Sequence, residues 1–195
     1  MKKGLLIAFA ILMLSSYAWA GAPYVGIFAT DVDESQDPHS LCSVSPALYE
    51  EFFIMWVWVL PTPKGMQAYE FKLLMPSPSK LVMAVDDYPP GEVWNPDITI
   101  QTGSWNVEGN KGAFGICMYD WTWVYKRWYY STATTPRVIQ VAPHTDSSHP
   151  GQIVVANCDP GYPLNDATAL THLYLYQPCV YATQESTWGA IKSMF

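Results

Sequence analysis

The chain has 195 residues, half of them hydrophobic and 14% charged, with a formal net charge of −7. That length suits one domain with a full core. An acidic chain without a basic run repels phosphate backbones and anionic bilayer surfaces, which argues against nucleic acid or a charged membrane face as a partner.

Residues 1–20 read MKKGLLIAFAILMLSSYAWA: Lys2 and Lys3, an apolar run from Gly4 to Leu14, then Ala18-Trp19-Ala20. This pattern predicts a cleaved secretory signal, since the apolar run is too short to span a bilayer comfortably. No Cys stands at the cleavage point to take a lipid. Losing Lys2 and Lys3 shifts the formal charge from −7 to −9. Residues 21–182 are then expected to form one secreted domain, in the periplasm or at the cell surface, and 183–195 a separate tail. No later apolar stretch reaches transmembrane length.

Short β-rich runs broken by Pro, Gly, Asn and Asp follow one another, and helical periodicity is nearly absent. The first strand is expected over Tyr24–Ala29. After it, Asp31, Asp33 and Asp37 place oxygens at alternate positions, as a calcium loop would, although Gln36 and Cys42 stand where an EF-hand needs Gly and Glu. A solvated acidic loop is the plainer reading; calcium is the one ion expected here, and no other cofactor is. Phe52–Leu60 is apolar at both parities, which predicts a central strand covered on both faces. Within Met66–Met75, Tyr69, Phe71, Leu73 and Met75 alternate with Ala68, Glu70, Lys72 and Leu74, as a half-buried strand does. Strands are expected next over Leu81–Val85, Asp97–Gln101 and Gly112–Tyr119.

Trp121–Tyr130 is the most aromatic strand. By parity Tyr119, Trp121, Trp123 and Tyr125 share one face, either a wall of the core or a planar platform for sugar rings. Trp94 and Trp105 lie in loop-like sequence and are expected to be exposed, so Trp94, Trp105, Trp121 and Trp123 are the candidate ligand contacts. Further strands are expected over Arg137–Ala142, Gln152–Asn157 and Ala169–Gln177, with Leu173 and Leu175 alternating with Tyr174 and Tyr176. Between them His144, Asp146 and His149 share a loop, but a His–His spacing of five does not enforce the convergence that zinc needs. In the tail, Trp188, Ile191 and Phe195 fall on one face of a short helix, an expected docking or recognition peptide.

Catalytic signatures are missing: no GxSxG elbow, no HExxH, no SxxK. Paired carboxylates for a secreted hydrolase, the alternative function, could come from Glu70, Asp86, Asp87, Glu92, Asp97 or Asp120, but sequence does not place two of them at a working distance. Cys42, Cys117, Cys158 and Cys179 form an even set without a CxxC, so two disulfides are expected in an oxidising compartment. Three connectivities are open, and Cys158–Cys179 with Cys42–Cys117 is marginally preferred.

Ten strands with regular turn signals predict an all-β antiparallel sandwich of about eight to ten strands with a short C-terminal helix. Met66–Pro76 followed by Leu81–Val85 resembles the early strand pair of cohesin-like jelly-roll modules. The Thr187–Phe195 ending and Pro150–Cys158 resemble the TWGxVKxLY terminus and PGQIxVxxC segment of uncharacterised secreted bacterial proteins. Ile191 stands where that pattern has Val, and Met194-Phe195 where it has Leu-Tyr. These resemblances imply a secreted, immunoglobulin-like β-sandwich and supply no catalytic residue. A non-catalytic binding or structural surface module is the expected function, with an extracellular protein, an envelope component or a glycan as partner.

Overall fold

A computed structural model describes residues 23–30, 43–44, 52–76, 81–83, 93–105, 107–131 and 135–176. Residues 1–22, the acidic segment with Asp31, Asp33 and Asp37, Cys42, Cys179 and the C-terminal residues Trp188, Ile191 and Phe195 lie outside the described residues. So do Asp86, Asp87 and Glu92.

Every regular element among the described residues is a β-strand. In chain order they are β1 (Tyr24–Thr30), β2 (Ser43–Val44), β3 (Phe52–Leu60), β4 (Met66–Leu74), β5 (Leu81–Met83), β6 (Val93–Trp94), β7 (Ile98–Ser104), β8 (Gly109–Met118), β9 (Thr122–Ser131), β10 (Arg137–Ala142), β11 (Ile153–Ala156), β12 (Leu164–Thr171) and β13 (Leu173–Leu175). The all-β sandwich expected from turn spacing is present. The strand expected over Ala169–Gln177 is instead two, β12 and β13, broken at His172.

One layer runs β12-β1-β3-β9, with β5 and β6 both on the far edge of β9. The other runs β7-β8-β4, and the remaining edge of β4 is shared: Ala68–Glu70 pairs with β11 and Lys72–Leu74 with β10. β10 continues to β13 and β2. Because β11 also pairs with β12, the two layers join at a corner. The pairing is not wholly antiparallel: β1 with β12 and β13 with β2 run parallel, since each pair is joined by long chain rather than by a hairpin.

The inner faces share one core. Val25, Ile27 and Ala29 of β1 and Phe53, Met55, Val57 and Val59 of β3 meet Tyr69, Phe71 and Leu73 of β4 and Val155 of β11. β3 is buried on both faces, as its unbroken apolar run predicts: Ile54 and Trp56 on the opposite side are 0% and 6% exposed. Trp56 Nε1 donates to Thr30 Oγ1 at 2.9 Å, satisfying an indole donor that burial would otherwise strand. Gly112 of β8 lies directly under the Tyr69 ring, where any Cβ would collide with the phenol.

A bulge overturns the aromatic parity expected for β9. Val57 pairs with Tyr125 but Trp58 pairs with Trp123, so Val124 is an extra residue in the ladder. Val124 and Tyr125 both enter the core, and Trp123 is sent to the opposite face. Strict alternation cannot survive one inserted residue, so the row from Tyr119 to Tyr125 is split between two sides.

Candidate binding surfaces

Four described regions gather functional side chains: the interlayer aromatics, the outer face of β3 and β9, the loop over β4, and the β7 edge.

Trp94 and Trp105, expected to be exposed, line the core instead. Trp105 is 2% exposed. Trp94 stacks on it with ring centroids 5.4 Å apart and planes 13° from parallel. Trp105 also meets Tyr125 at 5.2 Å, Phe71 at 5.0 Å and, nearly parallel, Tyr69 at 6.3 Å. Its sequence is loop-like because its backbone lies just past β7, where its carbonyl accepts from Leu73 N at 3.0 Å while its ring turns inward. Burial pushes the Tyr69 hydroxyl far above the ordinary phenol range, and burial followed by the neighbouring Tyr129 does the same to Tyr125. These phenols are packing groups, neutral at any physiological pH.

On the outer face, Ile54, Trp56 and Trp128 form a second cluster with Trp58, Val93 and Trp123 packed on it. Lys126 Nζ sits 4.6 Å from the Trp56 ring centroid, 5.2 Å from Trp128 and 5.8 Å from Trp123. One ammonium over three indoles is a cation–π seat, and it explains a lysine inside an aromatic strand. Trp56 and Trp128 are buried, at 6% and 7% exposure, so their faces are not offered to solvent. Trp121 is half-buried, edge-on to Phe28 at 6.3 Å, and Tyr119 is exposed. The four candidate tryptophans therefore do not form one platform.

Over β4 the loop holding His144, Asp146 and His149 is pinned down by Glu70. Its carboxylate accepts from Ser148 N at 2.8 Å and Ser148 Oγ at 2.6 Å, and Lys111 Nζ lies 3.5 Å away. Burial by itself would raise the Glu70 pKa, yet the Ser148 bonds and the Lys111 ammonium hold the carboxyl below the usual range. His144 is buried and its Nδ1 accepts from Asp146 N at 3.0 Å, while His149 pairs with Asp166 at 2.7 Å. The two imidazoles have separate partners, and no three His, Cys, Asp or Glu side chains converge as metal ligands among the described residues. Asp97 and Asp120 are both exposed.

His172, at the β12–β13 break, accepts from Val141 N through Nδ1 at 3.3 Å, and burial lowers its pKa. The folded pKa values of His172 and Glu70 both lie below the unfolded ones. The native state thus binds fewer protons and gains stability as pH rises. The His172 share is complete above about pH 6.5, the Glu70 share above about pH 4.3, and each is lost as pH falls below its limit. Denaturant midpoints measured from pH 8 downwards should fall in two stages. Glu70→Gln should remove the lower stage, cost about 1–2 kcal/mol at neutral pH and leave the upper stage intact; a profile unchanged by the substitution contradicts this account.

The disulfide differs from the preferred connectivity. Cys117, at the end of β8, is bonded to Cys158, just after β11, with Cα atoms 6.0 Å apart. That pairing overturns both Cys42–Cys117 and Cys158–Cys179. Strand order decides it: β8 and β11 flank β4 on opposite edges, and their ends meet beside the turn at Lys64-Gly65. Cys158 N donates to Lys64 O at 3.2 Å, and Gly65, with φ of +80°, leaves room for both sulfurs.

Three exposed aliphatic side chains lie along β7, β8 and their turn, while Leu74, Tyr119, Tyr162, Leu164 and Tyr176 are exposed elsewhere. Ile100 is 64% exposed, Ile116 58% and Val107 73%. From Thr99 to Ser104 every β7 residue is exposed, and among the described residues the strand pairs only with β8. In sequence this strand looks ordinary; the signal that marks it is the lack of Pro and charge in ITIQTGS, where edge strands usually carry one or the other.

No protein-family profile and no curated protein matches the chain. Two solved structures align over most of it. The seventh ScaB type I cohesin from Pseudobacteroides cellulosolvens aligns at 9% identity and a TM-score of 0.48, covering 84% of this chain and 97% of the cohesin. A type I cohesin–dockerin complex from Clostridium thermocellum supplies the second, at 8% identity and a TM-score of 0.42, over 78% and 97%. No helix among the described residues is long and apolar enough to cross a membrane.

Proposed function

We propose that this protein is an extracytoplasmic, non-catalytic module that binds another protein or builds a surface structure. The observation carrying this reading is the fate of Glu70, the most buried of the candidate carboxylates among the described residues. A general acid needs a raised pKa and a proton-bearing oxygen facing substrate. Glu70 has a lowered pKa, and Ser148 occupies both its oxygens.

Two further features support the reading. The Cys117–Cys158 bridge fits an oxidising compartment, in keeping with the leader-like start. The tryptophans proposed as sugar contacts serve packing, and the apolar groups exposed along β7, β8 and their turn, Ile100, Val107 and Ile116, are aliphatic, which favours a polypeptide partner at that edge; the exposed aromatics Tyr119, Tyr162 and Tyr176 lie elsewhere. The acidic segment from Asp31 to Asp37 remains the place where calcium would bind, and the Trp188–Phe195 tail a recognition or docking peptide.

The test is turnover. Purified exported protein, incubated with dye-linked polysaccharides and chromogenic esters and peptides, should release no product above buffer. Release that disappears in Glu70→Gln, with the fold intact by circular dichroism, would establish the hydrolase instead.

A further inference from the structure

The β7 edge has a length, a charge pattern and an exposure that together describe an occupant. Its regular pairing with β8 runs from Ile100 to Ser104; the irregularity at Ile98 precedes it and Gly103, at φ of +92°, lies near its end. A lateral strand presents alternate N–H and C=O groups to its open side, and nothing in ITIQTGS blocks their use. Acidic side chains bracket it. Asp97 precedes its first residue and is exposed, while Glu108 Oε1 lies 3.5 Å from where a Gly103 Cβ would stand. The two carboxylates are thus about six strand positions apart, roughly 20 Å. Ile100 and Val107 supply apolar surface along the same margin.

From this arrangement we infer that the β7 edge is a strand-addition site for an extended segment of another protein, β-branched at its centre and basic at both ends about six residues apart. A second copy of the chain fits poorly. An antiparallel β7–β7 pair centred on Ile100 sets Asp97 of each copy against Gly103 of the other, beside which Glu108 lies, so like charges meet at both ends of a ladder between two acidic molecules. Main-chain bonds give such a site its affinity and the flanking charges its register. The inference rests on the non-catalytic reading and adds the partner's chemistry to it.

The test uses the full chain and three synthetic heptapeptides: KTVTVTK, its Glu-flanked counterpart ETVTVTE, and KTVTVTK N-methylated at alternate residues. Calorimetry should detect KTVTVTK, with N-methylation and Glu flanks each weakening it about tenfold or more. Amide hydrogen exchange should slow at Ile100–Ser104 and little elsewhere. The double charge reversal Asp97→Lys, Glu108→Lys should reverse the preference between Lys and Glu flanks, and Ile100→Lys should weaken both peptides. No binding, binding indifferent to N-methylation, or protection away from β7 overturns the inference. So does self-association in sedimentation that Ile100→Lys abolishes, which would make a second copy the occupant. Each of these leaves the non-catalytic reading standing, and only turnover removes that.

Discussion

Breaking the Cys117–Cys158 bond, by reduction or by Cys117→Ser with Cys158→Ser, is expected to lower the unfolding free energy by about 4 kcal/mol. The bridge spans a sequence separation of 41 and ties the end of β8 to the chain leaving β11, so its loss releases a large closed loop in the unfolded ensemble. For a domain of this size that corresponds to a melting-temperature decrease of roughly 8–16 °C. The native contacts should survive, because Lys64 O still accepts from Cys158 N and the β4–β8 and β4–β11 ladders remain. Calorimetry with and without reductant, together with non-reducing peptide mapping, checks both halves of the claim. A melting temperature unmoved after both thiols are shown to be free, or a mapped Cys42–Cys117 linkage, contradicts it.

Trp105→Ala is expected to cost about 3–5 kcal/mol, the range for emptying a buried indole site. Trp105 is the ring on which Trp94, Tyr69, Phe71 and Tyr125 converge, so its removal opens a cavity between the layers rather than at their rim. Near-ultraviolet circular dichroism should lose much of its aromatic signal, and Trp105→Phe should recover part of the stability. Should urea unfolding show a loss under about 1 kcal/mol, the site has collapsed around the gap and the packing account fails.

How far the sequence carried depends on which link of the chain a residue belongs to. The β4 alternation was legible because period two directly reports one buried face, and Tyr69, Phe71 and Leu73 are indeed buried. The unbroken run of β3 was legible for the same reason, applied to two faces. β9 misled because the bulge at Val124 changes parity without any Gly or Pro to mark it. β13 misled differently: Tyr174 is buried along with Leu173 and Leu175, so this short strand is covered on both faces where alternation with Tyr174 and Tyr176 suggests one. Trp105 looked like a loop residue and is one by backbone, yet its side chain points inward, and nothing local specifies that direction.

The same distinction separates the candidate sites. Glu70 was named as an acid without a partner, and Ser148, 78 positions away, supplies the bonds that fix its role. The β7 edge could not be recognised as an edge at all until β8 was seen to pair with β4 on one side and β7 on the other.

By itself the sequence determined the β-rich class, the positions of most strands, the two-sided burial of β3, the acidic surface and the absence of familiar catalytic signatures. These follow from short-range periodicity, turn chemistry and composition, which each residue carries wherever the chain goes. The tertiary structure alone decided which strands are neighbours, which cysteines meet, which tryptophans are walls and which strand has one side unpaired among the described residues. Those properties belong to pairs of residues distant in the chain, brought together by ladder register and by the filling of one shared core. No local pattern encodes them.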